Sequence, residues 1–186
     1  MKTYPMTIAG LKRELPLFRV ADDFYIAAFI MLGDAEITVA CARELLKEAE
    51  KIDYDYILTA EAKSIPLVHE MARQGNISKH FVARKGPKIY MPDPIRVSDQ
   101  SITTQGKQIL CLGRDEADMM RGKKILIVDD VISTGGSLRA MENLVAAAGG
   151  EVVGRMAVLA EGDAAERDDI ICLGKLPTFH ADGTIR

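Results

Sequence analysis

The stretch KILIVDDVISTGGSL, residues 124–138, restricts the fold of this chain more than any other. Its apolar run reaches two adjacent acids, Asp129 and Asp130, without polar alternation on the way. A strand of that kind is covered on both faces, as in a parallel sheet; a half-solvated antiparallel strand alternates instead. After two intervening residues comes Ser133-Thr134-Gly135-Gly136-Ser137. Leu138, Met141, Leu144, Val145 and Ala148 then recur at helical spacing, and Gly149-Gly150 stops the helix.

The same alternation runs through the rest of the chain. DAEITVACARELLKEAEKI (34–52) predicts a helix with Asp34 as N-cap and Ile37, Cys41, Leu45, Ala49 and Ile52 on one face. YDYILTA predicts a strand ending near Ala60, and SIPLVHEMARQG a short helix stopped by Gly75. KHFVAR, QILCLG, EVVGRMAVLA and DIICLG read as further strands, and residues 85–108 as a proline-containing loop. The expected architecture is α/β: a doubly wound, mostly parallel sheet with helices on both faces. Ligands of such sheets bind beyond the carboxyl ends of the strands, at a topological switch point. Asp129 and Asp130 occupy one such end.

These two motifs attract different chemistry. Adjacent carboxylates repel phosphate, while glycines at a helix start let backbone N–H groups converge on an anion with the helix dipole behind them. The hydroxyls of Ser133, Thr134 and Ser137 add donors. The ligand therefore carries a phosphate at one end and hydroxyls or a metal ion at the other. The loop lacks the spacing of a nucleoside-triphosphate P-loop.

Composition removes several classes. A net charge of −3 offers no broad nucleic-acid surface. The most apolar run, FYIAAFIMLG (24–33), is shorter than the ~20 residues that cross a bilayer, and MKTYPMTIAG is not a secretory signal. Cys41, Cys111 and Cys172 lack metal-ligand spacing and read as reduced, mostly buried thiols. The expectation is a cytoplasmic protein without nucleic-acid or membrane partners.

ILIVDDVISTGGSL resembles the signature of the type I phosphoribosyltransferases, an apolar strand, two acids, two mostly apolar positions and a Thr-Gly-Gly loop. The resemblance implies that Asp129 and Asp130 face the ribose hydroxyls of phosphoribosyl pyrophosphate (PRPP). It also implies that Ser133, Thr134, Gly135, Gly136 and Ser137 hold the 5′-phosphate. YILTAEAKSIPL (56–67) resembles the family's pyrophosphate turn and puts Glu61, Ala62 and Lys63 there; FVARKGPKIYM (81–91) adds Arg84, Lys85 and Lys88. Asp129, Asp130, Lys63 and Arg84 form the implied catalytic set. Mg²⁺ is the implied cofactor, held mainly by substrate oxygens, with Asp129 or Asp130 on the protein side. The resemblance further implies a single domain over 1–186, with a core of about 34–174 and a hood built from about 1–33 and 175–186. It implies a homodimer and a loop, roughly Gly86 to Lys107, that closes over the site.

For the base, FRVADDFYIAAFIMLGD (18–34) resembles the base-facing segment of purine enzymes, which offers Phe24, Phe29 and Ile30 to the ring. SITTQGKQILCLG (101–113) resembles their hood hairpin. Thr103-Thr104-Gln105-Gly106 stands where adenine enzymes commonly carry Leu-Glu-Tyr-Gly, so Thr104 replaces a glutamate proposed to move a proton. The overall layout and the LPTF tail favour adenine, with xanthine or hypoxanthine/guanine as the alternative base. A non-catalytic PRPP sensor and a receiver-type phospho-acceptor are the alternatives outside the enzyme class.

Overall fold

A computed structural model describes residues 2–99 and 108–186. Its centre is a five-stranded sheet in which every neighbouring pair is parallel. The strands are β4 (Tyr56–Ala60), β5 (His80–Ala83), β8 (Lys124–Ile132), β9 (Glu151–Glu161) and β10 (Ile171–Leu176), in the order β10-β9-β8-β4-β5. Alternate residues of β8 serve opposite faces, as the pleat requires. Leu126 and Val128 pack with α1 (Ala35–Ala49) and α2 (Ile65–Gln74); Ile125 and Ile127 pack with α3 (Arg114–Met120) and α4 (Gly136–Ala148). The helices thus cover both faces, which is why β8 reads as an unbroken apolar run.

The helix boundaries follow local chemistry. The Asp34 carboxylate caps α1 by accepting the Ile37 N–H, and Arg13 grips the same carboxylate at 2.8 Å. That bond ties α1 to β2 (Leu11–Ala21), in a second sheet of order β1-β2-β3-β11. β1 (Thr3–Ile8), β3 (Phe24–Ala27) and β11 (Thr178–Phe179) complete it, so both chain ends share one antiparallel sheet. Ala9 and Gly10, both at positive φ, make the two-residue turn between β1 and β2.

The C-terminal segment clasps this sheet at the β2–β3 turn. Asp23 accepts the Ala181 N–H at 2.8 Å and pairs with His180 Nδ1 at 2.8 Å, while Arg186 donates to the Asp23 carbonyl. These bonds hold the Asp23 carboxyl below its usual range, the Ala181 N–H contributing most.

Three parts of the fold, five elements in all, are not legible as such in the sequence. The N-terminal strands were read only as a hood segment. The stretch taken as loop contains β6 (Ile95–Asp99), which pairs antiparallel with β7 (Gln108–Leu112). The helix α3 had no expectation attached. Of the thiols, Cys41 and Cys111 are buried and Cys172 is partly exposed, and all three are free. No helix among the described residues is long and apolar enough to cross a membrane.

Candidate active site

The chain leaves the sheet in opposite directions from β4 and β8, which are neighbours. They pair only from Tyr56–Ile125 to Leu58–Ile127, and beyond those rungs they part. β4 continues against β5 as far as Ala60–Ala83, and β8 continues against β9 as far as Ile132–Ala160. The crevice so opened is the switch point where ligands of open α/β sheets bind. Asp129 and Asp130 come from one wall, and the turn Glu61-Ala62-Lys63-Ser64 comes from the other.

The two walls are bonded across the crevice. Ser64 Oγ donates to Asp129 Oδ1 at 2.6 Å, and the Asp130 N–H donates to the same oxygen at 2.9 Å. Lys63 Nζ forms an ion pair with Asp130 Oδ2 at 2.6 Å. That oxygen is buried and has no aligned hydrogen-bond donor among the described residues. Buried polar atoms ordinarily have such a donor, so its state suits an incoming hydroxyl. Both acids are buried, at 8% and 3% exposure. Burial pushes the Asp129 carboxyl up, the nearby Asp130 charge adds to this, and the Ser64 bond partly offsets it.

The glycine-rich loop follows directly. Gly135 is left-handed (φ 76°) and precedes α4 without any side chain capping the helix. The first N–H groups of α4 thus lack the partner a capping side chain would supply, and the dipole favours an anion there. Arg139 Nη1 donates to the Thr134 carbonyl at 3.1 Å. In a trans peptide the N–H points opposite the C=O, so this bond directs the Gly135 N–H to the loop's other side. A Cβ at Gly135 would lie 3.3 Å from Arg139 Nη1 and 3.6 Å from Arg167 Nη1.

Above the loop is a cleft of about 470 Å³, lined by Val20, Phe24 and Ile26 of the antiparallel sheet, by Ser133 and Thr134, and by Glu161 at the end of β9. Phe24 thus faces the site. Phe29 and Ile30 do not line this cleft: Phe29 is packed in the core at 5% exposure and Ile30 is 60% exposed. The chain leaves β3 at Ala27, so the alternation that aims Phe24 into the cleft does not extend to them.

The remaining expected cations form a separate group. The Glu61 carboxylate accepts the Lys85 N–H at 2.9 Å and lies 3.7 Å from Arg84 Nε. The Lys85 bond chiefly holds Glu61 below its usual range, with Arg84 and Lys88 assisting. Glu61 therefore orders this loop; as an anion it would repel pyrophosphate. Arg84 donates to the Tyr90 hydroxyl at 2.9 Å and lines another cleft with His80 and Val82 on the edge strand. Lys63 and Arg84 thus pair with different acids, Asp130 and Glu61. Thr103, Thr104, Gln105, Gly106 and Lys107 lie outside the described residues.

Sequence reasoning missed Ser64, Arg139, Arg167 and Glu161. Glu161 carried the same signal as Asp129, an acid ending a long apolar strand. Arg139 was legible as a cation in the first turn of a helix, where the dipole disfavours it. Ser64 and Arg167 had no signal.

Comparison with known proteins decides what this crevice belongs to. Residues 35–181 match the phosphoribosyl transferase domain family. This chain belongs to the phosphoribosyltransferase family. A hypoxanthine/guanine phosphoribosyltransferase from Methanothrix soehngenii is 30% identical over 156 residues, covering 82% of this chain and 78% of that protein. An adenine phosphoribosyltransferase from Thermosipho africanus is 30% identical over 150 residues, covering 80% of this chain and 84% of that protein. The crystal structure of adenine phosphoribosyltransferase from Thermoanaerobacter pseudethanolicus shares the fold, with a TM-score of 0.71. It is 22% identical, and the match covers 87% of this chain and 95% of that one. As a phosphoribosyltransferase, the chain has its acid pair and glycine loop at the switch point of a parallel sheet, capped by an antiparallel one.

Proposed function

We propose that this phosphoribosyltransferase transfers the phosphoribosyl group of PRPP to adenine, releasing AMP and pyrophosphate. The observation that carries the reading is the juxtaposition of the buried Asp129–Asp130 pair with the uncapped start of α4. Ser133, Thr134, Gly135, Gly136 and Ser137 hold the 5′-phosphate. Asp130 Oδ2, lacking an aligned donor, accepts from a ribose hydroxyl, and Asp129 is held in place by Ser64. Lys63 moves its charge from Asp130 to the departing pyrophosphate, joined by Arg84, Lys85 and Lys88 when the loop they begin closes. Closure excludes water that would otherwise hydrolyse PRPP.

The acid pair also fits Mg²⁺, an ion often held by one or two carboxylates together with substrate phosphates. Among the described residues no three His, Cys, Asp or Glu side chains are grouped to hold a metal by themselves. Asp129 or Asp130 would be its protein contact, and the bound ion would neutralise charge on the leaving pyrophosphate.

The polar lining of the cleft supports adenine. Beyond the phosphate loop it presents the carboxyl groups of Glu161 and Asp163, and the apolar Phe24 and Ile26 flank them. All four bases carry N–H donors that a carboxylate can accept from, but hypoxanthine, guanine and xanthine add carbonyl oxygens that a carboxylate repels, and adenine has none. The 30% identity to a hypoxanthine/guanine enzyme keeps an oxopurine as the second reading. Pyrophosphate release from PRPP and Mg²⁺ with each of adenine, hypoxanthine, guanine and xanthine tests it. Adenine is expected to turn over fastest, and faster turnover of any oxopurine would overturn the base assignment alone.

The active unit we propose is a homodimer. Ile30, Leu32 and Val39, around the start of α1, are exposed apolar side chains of the kind a second copy would cover. Sedimentation at micromolar concentration is expected to give twice the 20.4 kDa chain mass; a pure monomer would contradict it.

A further inference from the structure

We propose that Glu161 is the group that takes the ring N–H proton of the purine as its nitrogen bonds to C1′ of the ribose. The inference rests on the transferase reading given above and deepens it. The sequence offers no glutamate at Thr104, where related adenine enzymes commonly place one. A base that gives up an N–H must still hand the proton to something.

Position singles out Glu161. It is the last residue of β9, paired through the sheet with Leu176 of β10 and lying one rung beyond the Ile132–Ala160 pair. It therefore stands beside Ser133, where the 5′-phosphate loop begins. It lines the same cleft as Phe24 and Ile26. A purine in this cleft, with its ribose phosphate on Ser133–Ser137, would share the cleft with Glu161. Asp163 lines the same cleft but belongs to the exposed 3₁₀ turn Gly162–Glu166, where solvent competes for its oxygens. Asp129 accepts from Ser64, and Asp130 is taken up by the ribose hydroxyl in the reading above.

The environment of Glu161 suits proton acceptance. It is partly buried and makes no hydrogen bond or short ion pair among the described residues. Burial raises its affinity for a proton, and the more distant Lys63 charge offsets only part of the effect. A carboxylate so placed is a stronger base than an exposed one.

The step balances. The C1′–O bond of PRPP breaks and its electron pair leaves with pyrophosphate. The in-plane lone pair of the imidazole nitrogen that carries no hydrogen forms the C1′–N bond, and the proton on the other imidazole nitrogen passes to the Glu161 carboxylate. Solvent removes that proton after the nucleotide departs.

The experiment compares wild type, Glu161→Gln and Glu161→Ala with PRPP, Mg²⁺ and whichever of the four bases the wild type uses. Glutamine keeps the size and polarity but cannot accept the proton. The expected result is a fall in kcat of ~10²–10⁴-fold, the usual worth of general base help, with the acid limb of the pH–rate profile lost. Calorimetric affinity for PRPP should stay unchanged, which shows that the variant is folded. Added formate should restore part of the turnover of Glu161→Ala, which a purely structural residue would not allow. Turnover of Glu161→Gln within about threefold of wild type, with the acid limb intact, overturns the inference and leaves the transferase reading standing. A wild type that turns over none of the four bases overturns the transferase reading, and this inference with it.

Discussion

Replacing Gly135 by valine should lower PRPP affinity by about 100-fold or more. Gly135 has φ 76°, a conformation that costs an L-residue roughly 1–2 kcal/mol and a β-branched residue more. Its new side chain would also meet the Arg139 guanidinium, 3.3 Å from the Cβ position. The peptide plane that Arg139 holds would turn, and N–H groups aimed at the phosphate would turn with it. Hydrogen bonds to a charged partner are each worth roughly 1.5–3 kcal/mol, so losing two accounts for the factor. Gly10→Ala is the control. Gly10 has φ 82° with nothing within 4 Å of its Cβ position, so the same kind of strain arises far from the site. That variant should lose stability and keep its affinity for PRPP, both measured by calorimetry.

Asp129→Asn should move stability and activity in opposite directions. Both bonds to Asp129 end on Oδ1, from Ser64 Oγ and the Asp130 N–H, and an asparagine oxygen accepts both. What disappears is a buried charge beside a second carboxylate. Relief of even about 1 kcal/mol raises the Tm of a chain this size by roughly 2–4 °C. The sign of the pH dependence follows from the raised Asp129 pKa. A carboxyl raised on folding binds more protons folded than unfolded, so its contribution falls as pH climbs from the ordinary carboxylate range toward neutrality. Thermal melts of wild type should show that fall, and Asp129→Asn should flatten it. On the proposed function, in which this carboxylate stabilises positive charge developing at C1′, transfer activity should drop by ~10²-fold or more. A variant less stable than wild type at neutral pH, or one that keeps full activity, would contradict this account.

Much of this site was legible before any coordinates. The apolar run into Asp129 and Asp130 required a strand buried on both faces, and the glycine pair required a tight approach at a helix start. Helices α1, α2 and α4 followed from spacing and caps. The rest turned on contacts between residues far apart in the chain. Nothing near Ser64 says that it bonds a residue 65 positions away. Nothing in LPTF says that Thr178 and Phe179 pair with Ile26 and Tyr25, or that His180 meets Asp23. Phe24, Phe29 and Ile30 look alike in an apolar run, and only the end of β3 separates the one in the cleft from the other two. The cations show the same limit: Lys63 pairs with Asp130 and Arg84 with Glu61, and sequence order does not record which acid each one meets.

The measurement closest to the central claim is a calorimetric titration of the full chain with PRPP in the presence of Mg²⁺. The account predicts one saturable site per chain below millimolar PRPP, absent in Gly135→Val. Inorganic phosphate should compete for it if, as proposed, the uncapped start of α4 and the Ser133–Ser137 loop act as one anion cradle. No binding at millimolar PRPP, or binding unchanged in Gly135→Val, would contradict it.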